Sequence, residues 1–372
     1  MKIRDFLMED WLMKNRGRVN FNLAESGVAD YRLNEIINMC GIDTDELLTI
    51  KLEDSPTYGT DALRAAIAET YSSVAPESVL VTTGTSEGLF ILINLLVQSG
   101  DEVIVQFPEF QSLYELPRSL GCDVKFLKLR EESDYIFDVD ELSALITEKT
   151  KLIIINNPHN PTGSLLPDST VKVAIELAKQ RGIRIIFDEH YRFLPIDPAH
   201  KIKSACEIDD YAICTGSIVK CFGLMGLRMG WLIADRELIE RCRSFKDYTT
   251  HTLSPISDFI SEKVLKSREM ILGKNLNFIR ANHALLKDFV SGHNDSLSFV
   301  PPEAGVVSFI KYNYDIPSDE LVSRLIKEQD VFLLPGSSFE LEGYFRLGFG
   351  IDTPRFKEAL MRISAFLGTL KD

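Results

Sequence analysis

Thr215-Gly-Ser-Ile-Val-Lys-Cys-Phe-Gly-Leu-Met-Gly-Leu-Arg-Met-Gly-Trp231 is apolar almost throughout, yet it carries one lysine, one arginine, one serine and four glycines. Burial disfavours the ammonium form of a lysine and lowers its pKa, which makes the amine a nucleophile for a carbonyl. Glycines let backbone come close to a ligand. Arg228 offers a fork of donors to a phosphate, and Ser217 can add a hydroxyl to the same oxygens. The plain structural alternative is a core strand and turn whose lysine reaches water along its aliphatic stem.

Working outward, Tyr211–Thr215 reads as the strand that delivers Ser217 and Lys220. Upstream, Gly182-Ile-Arg-Ile-Ile-Phe187 is an apolar strand ending in Asp188-Glu-His-Tyr191. A carboxylate at the end of a buried strand demands a partner. Lys151-Leu-Ile-Ile-Ile-Asn-Asn-Pro-His-Asn-Pro-Thr-Gly163 has the unbroken apolar run of a strand covered on both faces, then a stiff Pro/Asn turn. Ser78–Thr83 reads as a strand and Gly84-Thr85-Ser86 as the turn into a helix over Gly88–Val97, a strand-turn-helix entry whose free N–H groups suit a phosphate. Asp101–Phe110 is a further strand that ends in Pro108-Glu-Phe110. Val171–Arg181 has a helical pattern, and Ile256 to about Phe289 reads as one long helical stretch. Near the C-terminus, Gly305–Lys311 alternates like a strand, and Arg346 lies inside the apolar, glycine-rich run Tyr344-Phe-Arg-Leu-Gly-Phe-Gly350. An arginine buried there needs an anion. Strands alternating with helices give an α/β fold with a mainly parallel sheet, and ligands sit at the carboxyl ends of such strands.

Composition narrows the function. The 372 residues carry a net charge of −14, so no basic excess exists to cover nucleic acid. No run approaches a membrane span, and the N-terminal Met1-Lys-Ile-Arg-Asp-Phe lacks a secretory leader. Six scattered cysteines without a CxxC pair read as reduced thiols of a cytoplasmic protein. No metal-ligand cluster is expected.

Ser217-x-x-Lys220-x-x-Gly223-Leu-x-Gly226-x-Arg228-x-Gly230 resembles the cofactor-attachment signature of the class I/II aminotransferases, fold type I enzymes that use pyridoxal 5'-phosphate. One position departs: Val219 stands where the family has a small residue. The resemblance covers nearly the whole chain. It implies a three-layer α/β/α large domain over 46–260 and a smaller α+β domain from 1–45 and 261–372. It also assigns roles. Lys220 holds the cofactor as an aldimine and shuttles the proton. Asp188 keeps the ring nitrogen protonated, while Tyr191 and Asn160 (within Asn-Pro-Thr-Gly163) bond the ring oxygen. Phe110 stacks on the ring, and Gly84, Thr85, Ser86, Ser217 and Arg228 hold the phosphate. Tyr58, in Pro56-Thr-Tyr-Gly59, reaches across a homodimer to the partner's phosphate. Arg346, with Gly27 and Asn160, binds the substrate carboxylate. Transamination between an amino acid and a 2-keto acid is the reaction implied.

Met8-Glu-Asp-Trp-Leu12 and Glu25-Ser-Gly-Val-Ala-Asp-Tyr31 also resemble the capreomycidine synthase group. Those enzymes use the same cofactor to cyclise a hydroxylated arginine without releasing a keto acid; Glu25, Asp30 or Glu189 would then face a guanidinium. A third reading, a cofactor-binding protein without turnover, sits poorly with the presence of both Lys220 and Asp188. His159 reads as structural. His190 stands beside the site with no role that its sequence position assigns.

Overall fold

The computed structural model describes residues 2–370. Its strands are β1 (Phe21–Asn22), β2 (Val79–Thr82), β3 (Glu102–Phe107), β4 (Asp123–Lys128), β5 (Thr150–Asn156), β6 (Arg184–Asp188), β7 (Ile213–Ser217), β8 (Gly230–Ile233), β9 (Leu297–Ser298), β10 (Val307–Tyr312), β11 (Val331–Phe332), β12 (Leu334–Pro335) and β13 (Tyr344–Gly348). Seven of them form one sheet in the order β2-β8-β7-β6-β5-β3-β4. Every pairing is parallel except the two that β8 makes with β2 and β7. This is the mainly parallel α/β architecture expected from the alternation of strands and helices.

Both faces of this sheet are covered, which explains the unbroken apolar runs. Successive side chains along a strand point to opposite faces. Ile153 and Ile155 therefore join one core with Ile185, Phe187, Cys214 and Trp231. Leu152 and Ile154 join the other with Val103, Val105, Ile186 and Leu232. Lys125 on the edge strand β4 keeps its ammonium within 2.7 Å of Glu102, a charge that blunts the free edge.

A second sheet, β12-β13-β10-β9, is antiparallel. Arg346 lies on β13, a central strand, opposite Phe309 on β10 and Leu334 on β12. The N-terminal part of the chain joins this region: β1 pairs with β11, and the loop after β1 crosses β13, with Gly348 N–H donating to Leu23 O.

Three helices differ from the sequence expectation, one of them only in its bounds, Asp168–Gln180 for Val171–Arg181. The helix after β2 starts at Thr85 rather than Gly88 and runs to Leu96, because Gly84 ends the strand's turn and itself takes the N-cap position. The stretch read as one helix from Ile256 to Phe289 is two, Pro255–Lys266 and Arg268–Ser291, parted at Ser267. Their apolar periodicity continues across the break. At the break Ser267 N–H reaches both Lys263 O (3.0 Å) and Val264 O (3.1 Å), a tightened last turn that ends the first helix.

Candidate active site

The parallel strands deliver their last residues to one edge. β6 ends on Asp188, β7 on Ser217, and β5 leads into the turn carrying Asn160. Because β8 runs the opposite way, its first residue, Gly230, lies at the same edge, between Thr82 of β2 and Ser217 of β7. A cavity of about 510 Å³ opens there. Gly84, Thr85, Ser86, Ser217 and Arg228 line one part of it; Phe110, Asn160, Asp188 and Lys220 line the rest.

The first part is a nest of donors. Gly84 supplies no capping side chain, so the first-turn N–H groups of the Thr85–Leu96 helix face the cavity unoccupied by a cap. Arg228 folds its guanidinium over this turn: a Cβ built on Gly84 would stand 3.0 Å from Arg228 Nη2. Among the described residues no carboxylate pairs with Arg228 within 4 Å, so the cation is free for an anion. The close fit of β8 leaves no room for a side chain. A Cβ on Gly230 would lie 2.7 Å from both Gly84 C and Thr85 N.

Lys220 sits in the short helical turn Val219–Phe222, which Gly223 ends in a left-handed conformation (φ 67°). Its Nζ donates to Ser26 Oγ at 2.8 Å. Burial, and then the nearby Arg346 cation, bring its pKa down to about 8. The turn is pinned from outside: Asn275 Nδ2 donates to Cys221 O, and Val28 N–H donates to Lys220 O. Val219, the departure from the signature, is buried and lines the cavity wall.

Asp188 is 2% exposed. Thr215 Oγ1 donates to its Oδ1 at 2.7 Å, and His190 Nδ1 lies 3.2 Å from Oδ2. Among the described residues no lysine or arginine comes within 4 Å of it. A buried carboxylate set this way is suited to a cationic ring nitrogen.

Four of the residues that the family resemblance assigns to cofactor or substrate lie outside the lining. Arg346 is fully buried just behind Asn160, donating from Nη1 to Asn160 Oδ1 (2.9 Å) and from Nη2 to Ala24 O (2.6 Å). Its Nε has no partner, and no carboxylate pairs with it among the described residues. Tyr191 is buried, with its hydroxyl donating to Ser26 O at 2.6 Å. Gly27 packs against Lys220, whose Cδ would lie 3.4 Å from a Cβ there. Tyr58 is away from the cavity, donating from its hydroxyl to Glu240.

Of the three carboxylates that could meet a guanidinium, only Glu25 lines the cavity. Glu189 turns away, accepting from Ser204 Oγ and Ala205 N–H, with burial raising its pKa to about 7. Asp30 accepts from Met225 N–H outside the cavity. His159 is structural: Nε2 bonds Pro108 O, Nδ1 bonds Thr162, and burial lowers its pKa to about 3.

Two features escaped the sequence reading. Ser26 holds the lysine, although it lies within the very loop singled out for Gly27. The helix Leu7–Asn15 closes the cavity with Met8, Glu9 and Leu12, and Arg16 just beyond it is paired bidentately with Glu25. Met8–Leu12 stood out through its resemblance to the cyclase group; the surface it covers was not visible.

The residues present fit pyridoxal phosphate. A phosphate would meet an uncapped helix N-terminus, the three hydroxyls of Thr85, Ser86 and Ser217, and an arginine with no carboxylate partner among the described residues; a ring nitrogen would meet Asp188, and an aldehyde carbon a lysine with a lowered pKa. The comparisons agree. Over 364 residues the chain is 27% identical to capreomycidine synthase of Streptomyces vinaceus, covering 97% of this chain and 93% of that one. Over 332 residues it is 28% identical to an aspartate aminotransferase of Sulfolobus acidocaldarius, covering 84% and 82%. Among solved structures, a PLP-dependent aminotransferase from Streptococcus suis superposes with a TM-score of 0.95 at 29% identity over the whole of both chains. The PLP-dependent cyclase OrfR superposes with 0.93 at 29%, covering 99% and 98%. Residues 52–363 match the pattern of the aminotransferase class I and II family. The chain belongs to that family, and pyridoxal 5'-phosphate is its cofactor.

Proposed function

We propose that the chain is an aminotransferase, moving an amino group between a small-molecule amino acid and a 2-keto acid. In this reading it works as a cytoplasmic homodimer, with 46–260 as the large domain and 1–45 with 261–372 as the small one. The observation that carries the cofactor chemistry is Lys220: a partly buried amine, pKa about 8, held by one hydroxyl at the edge where Asp188 and the phosphate nest converge; the likeness to aspartate aminotransferases supports transamination as its outcome.

Pyridoxal phosphate, when bound, supplies an aldehyde for amines and a ring that takes up the electrons left by Cα–H cleavage. The chain's residues do the rest. Lys220 keeps a sizeable free-amine fraction near neutral pH, the form that attacks a carbonyl and that accepts and returns a proton. Ser26 Oγ fixes Nζ within the cavity. Asp188 supplies the negative charge that favours a protonated ring nitrogen. Thr85, Ser86, Ser217 and Arg228 grip the phosphate. Arg346, behind Asn160, would take the α-carboxylate of the amino acid. Tyr191 secures the Ser26 loop through its hydroxyl, and Asn160 would donate to the ring oxygen.

A second reading, cyclisation, is supported by the extent of the likeness to capreomycidine synthase and to the solved cyclase. The cavity mouth is compatible with it, because Glu9 lines the cavity with no cationic partner within 4 Å among the described residues. Lys220 serves either reaction, so the product decides. Holoenzyme mixed with a reactive amino acid and no keto acid should release about one equivalent of 2-keto acid per active site. Amino acid consumed catalytically with no keto acid formed would overturn transamination in favour of cyclisation.

A further inference from the structure

His190 follows β6 by two residues, between the buried Glu189 and the buried Tyr191. Its ring leans on Tyr191, with centroids 4.2 Å apart. Its carbonyl accepts from Cys221 Sγ at 3.0 Å, so the residue next to Lys220 anchors its backbone. The side chain is 8% exposed, and that small exposure faces the cavity. From this fixed place Nδ1 meets Asp188 Oδ2 at 3.2 Å, while Thr215 Oγ1 meets Oδ1 at 2.7 Å. A carboxylate oxygen can only accept, so Nδ1 carries the hydrogen of this contact.

We propose that His190 is the positioning residue for Asp188: its Nδ1–H, opposite the Thr215 hydroxyl, fixes the carboxylate plane that meets the cofactor ring. This rests on the assignment of Asp188 to the ring nitrogen. The other ionisable groups around the carboxylate do not replace it. Glu109 is buried nearby, where burial pushes its carboxyl well above the usual carboxylate range, and it accepts from Phe110 N–H. His159 is neutral and bonded to Pro108 and Thr162. The Tyr191 hydroxyl is committed to Ser26 O. Without the imidazole, Oδ2 would have no donor among the described residues, and a buried carboxylate with one free oxygen turns about its last torsion.

Three variants of the holoenzyme separate this role from simple packing. His190→Asn puts an amide donor close to the Nδ1 position, His190→Gln puts one closer to Nε2, and His190→Ala has none. The readouts are the rate of cofactor loss on dilution, followed by absorbance, and the position of the visible band of the bound cofactor. Ala and Gln should lose cofactor about tenfold faster with a displaced band, and Asn should stay within about twofold of the parent, the range for one hydrogen bond to a charged group. Ala behaving like the parent would overturn the proposal, as would rescue by Gln and not by Asn. Asp188→Asn in the same assay tests the assignment beneath it. If that variant alters neither readout, the ring assignment fails; if it alters both while His190→Ala alters neither, only the role of His190 fails. Adding His190→Ala to Asp188→Asn should change little further, because the two act through one contact.

Discussion

Arg346 and Asn160 join the two sheets: the Arg346 guanidinium, on the antiparallel sheet, donates from Nη1 to Asn160 Oδ1, on the turn after β5, at 2.9 Å. The bond fixes the fork's direction while leaving its charge unmatched, since no carboxylate pairs with Arg346 among the described residues. A fully buried cation of this kind is costly without an anion, and we propose that the arriving carboxylate supplies it. Arg346→Lys keeps the charge but loses the planar fork. We expect the KM for the amino acid to rise about a hundredfold, with cofactor affinity changed little. Steady-state kinetics and cofactor titration check both halves, and an unchanged KM would detach Arg346 from the carboxylate.

The phosphate nest depends on a fit that admits no methyl group. A Cβ on Gly230 would stand 2.7 Å from backbone atoms of Gly84 and Thr85, and backbone yields less readily than a side chain. Gly230→Ala should therefore push the first turn of the Thr85–Leu96 helix out of register with Arg228. The expected cost is about 1–3 kcal/mol of stability and about a tenfold loss of cofactor affinity. Thermal unfolding of the apoprotein and cofactor titration measure the two separately.

Much of this was legible in the sequence, and the reason is local. Lys220, Asp188, Arg346 and the Asn160 turn are polar groups set in or at the ends of apolar runs, and each demands an explanation where it stands. Contacts between distant parts of the chain gave no such signal. Ser26 touches Lys220 across most of the large sheet's sequence, and a serine in a loop looks like any other. His190 could be noticed as unusual, but its partner is fixed by ring orientation, which one residue's identity does not encode. The break at Ser267 was hidden because the apolar periodicity runs on through it.

Lys220 makes the apoprotein's stability depend on pH. Its folded pKa of about 8 lies below the ordinary 10.5, so between these values the unfolded chain holds more protons at this site. Stability at this site therefore rises with pH across that window, and below about pH 8 the full penalty of a buried ammonium is present. Lys220→Met removes the charge with little change in volume. The apo variant should be more stable than the parent by about 1–3 kcal/mol at pH 7, and the gain should shrink to nothing by about pH 10.5. Denaturant melts of cofactor-free protein at both pH values test this; a gain independent of pH would assign it to packing.

Within one chain, Tyr58 reaches no part of the cavity. Its hydroxyl donates to Glu240, and Arg64 stacks over its ring at 5.2 Å. On the same stretch of chain, Leu48 and Leu52 are about four-fifths exposed (81% and 80%), a costly display of apolar surface that a second subunit would cover. We expect a homodimer in which Tyr58 of each chain serves the other's phosphate nest. Lys220→Ala and Tyr58→Ala should each be nearly inactive alone. Mixed and allowed to exchange, they form dimers in which one site has both its own lysine and the neighbour's tyrosine. An equal mixture should then recover about a quarter of the parental activity per chain, because half the dimers are mixed and each has one intact site. No recovery, with exchange shown by a size or affinity tag, would confine Tyr58 to its own chain and leave the phosphate to Arg228 and the helix alone.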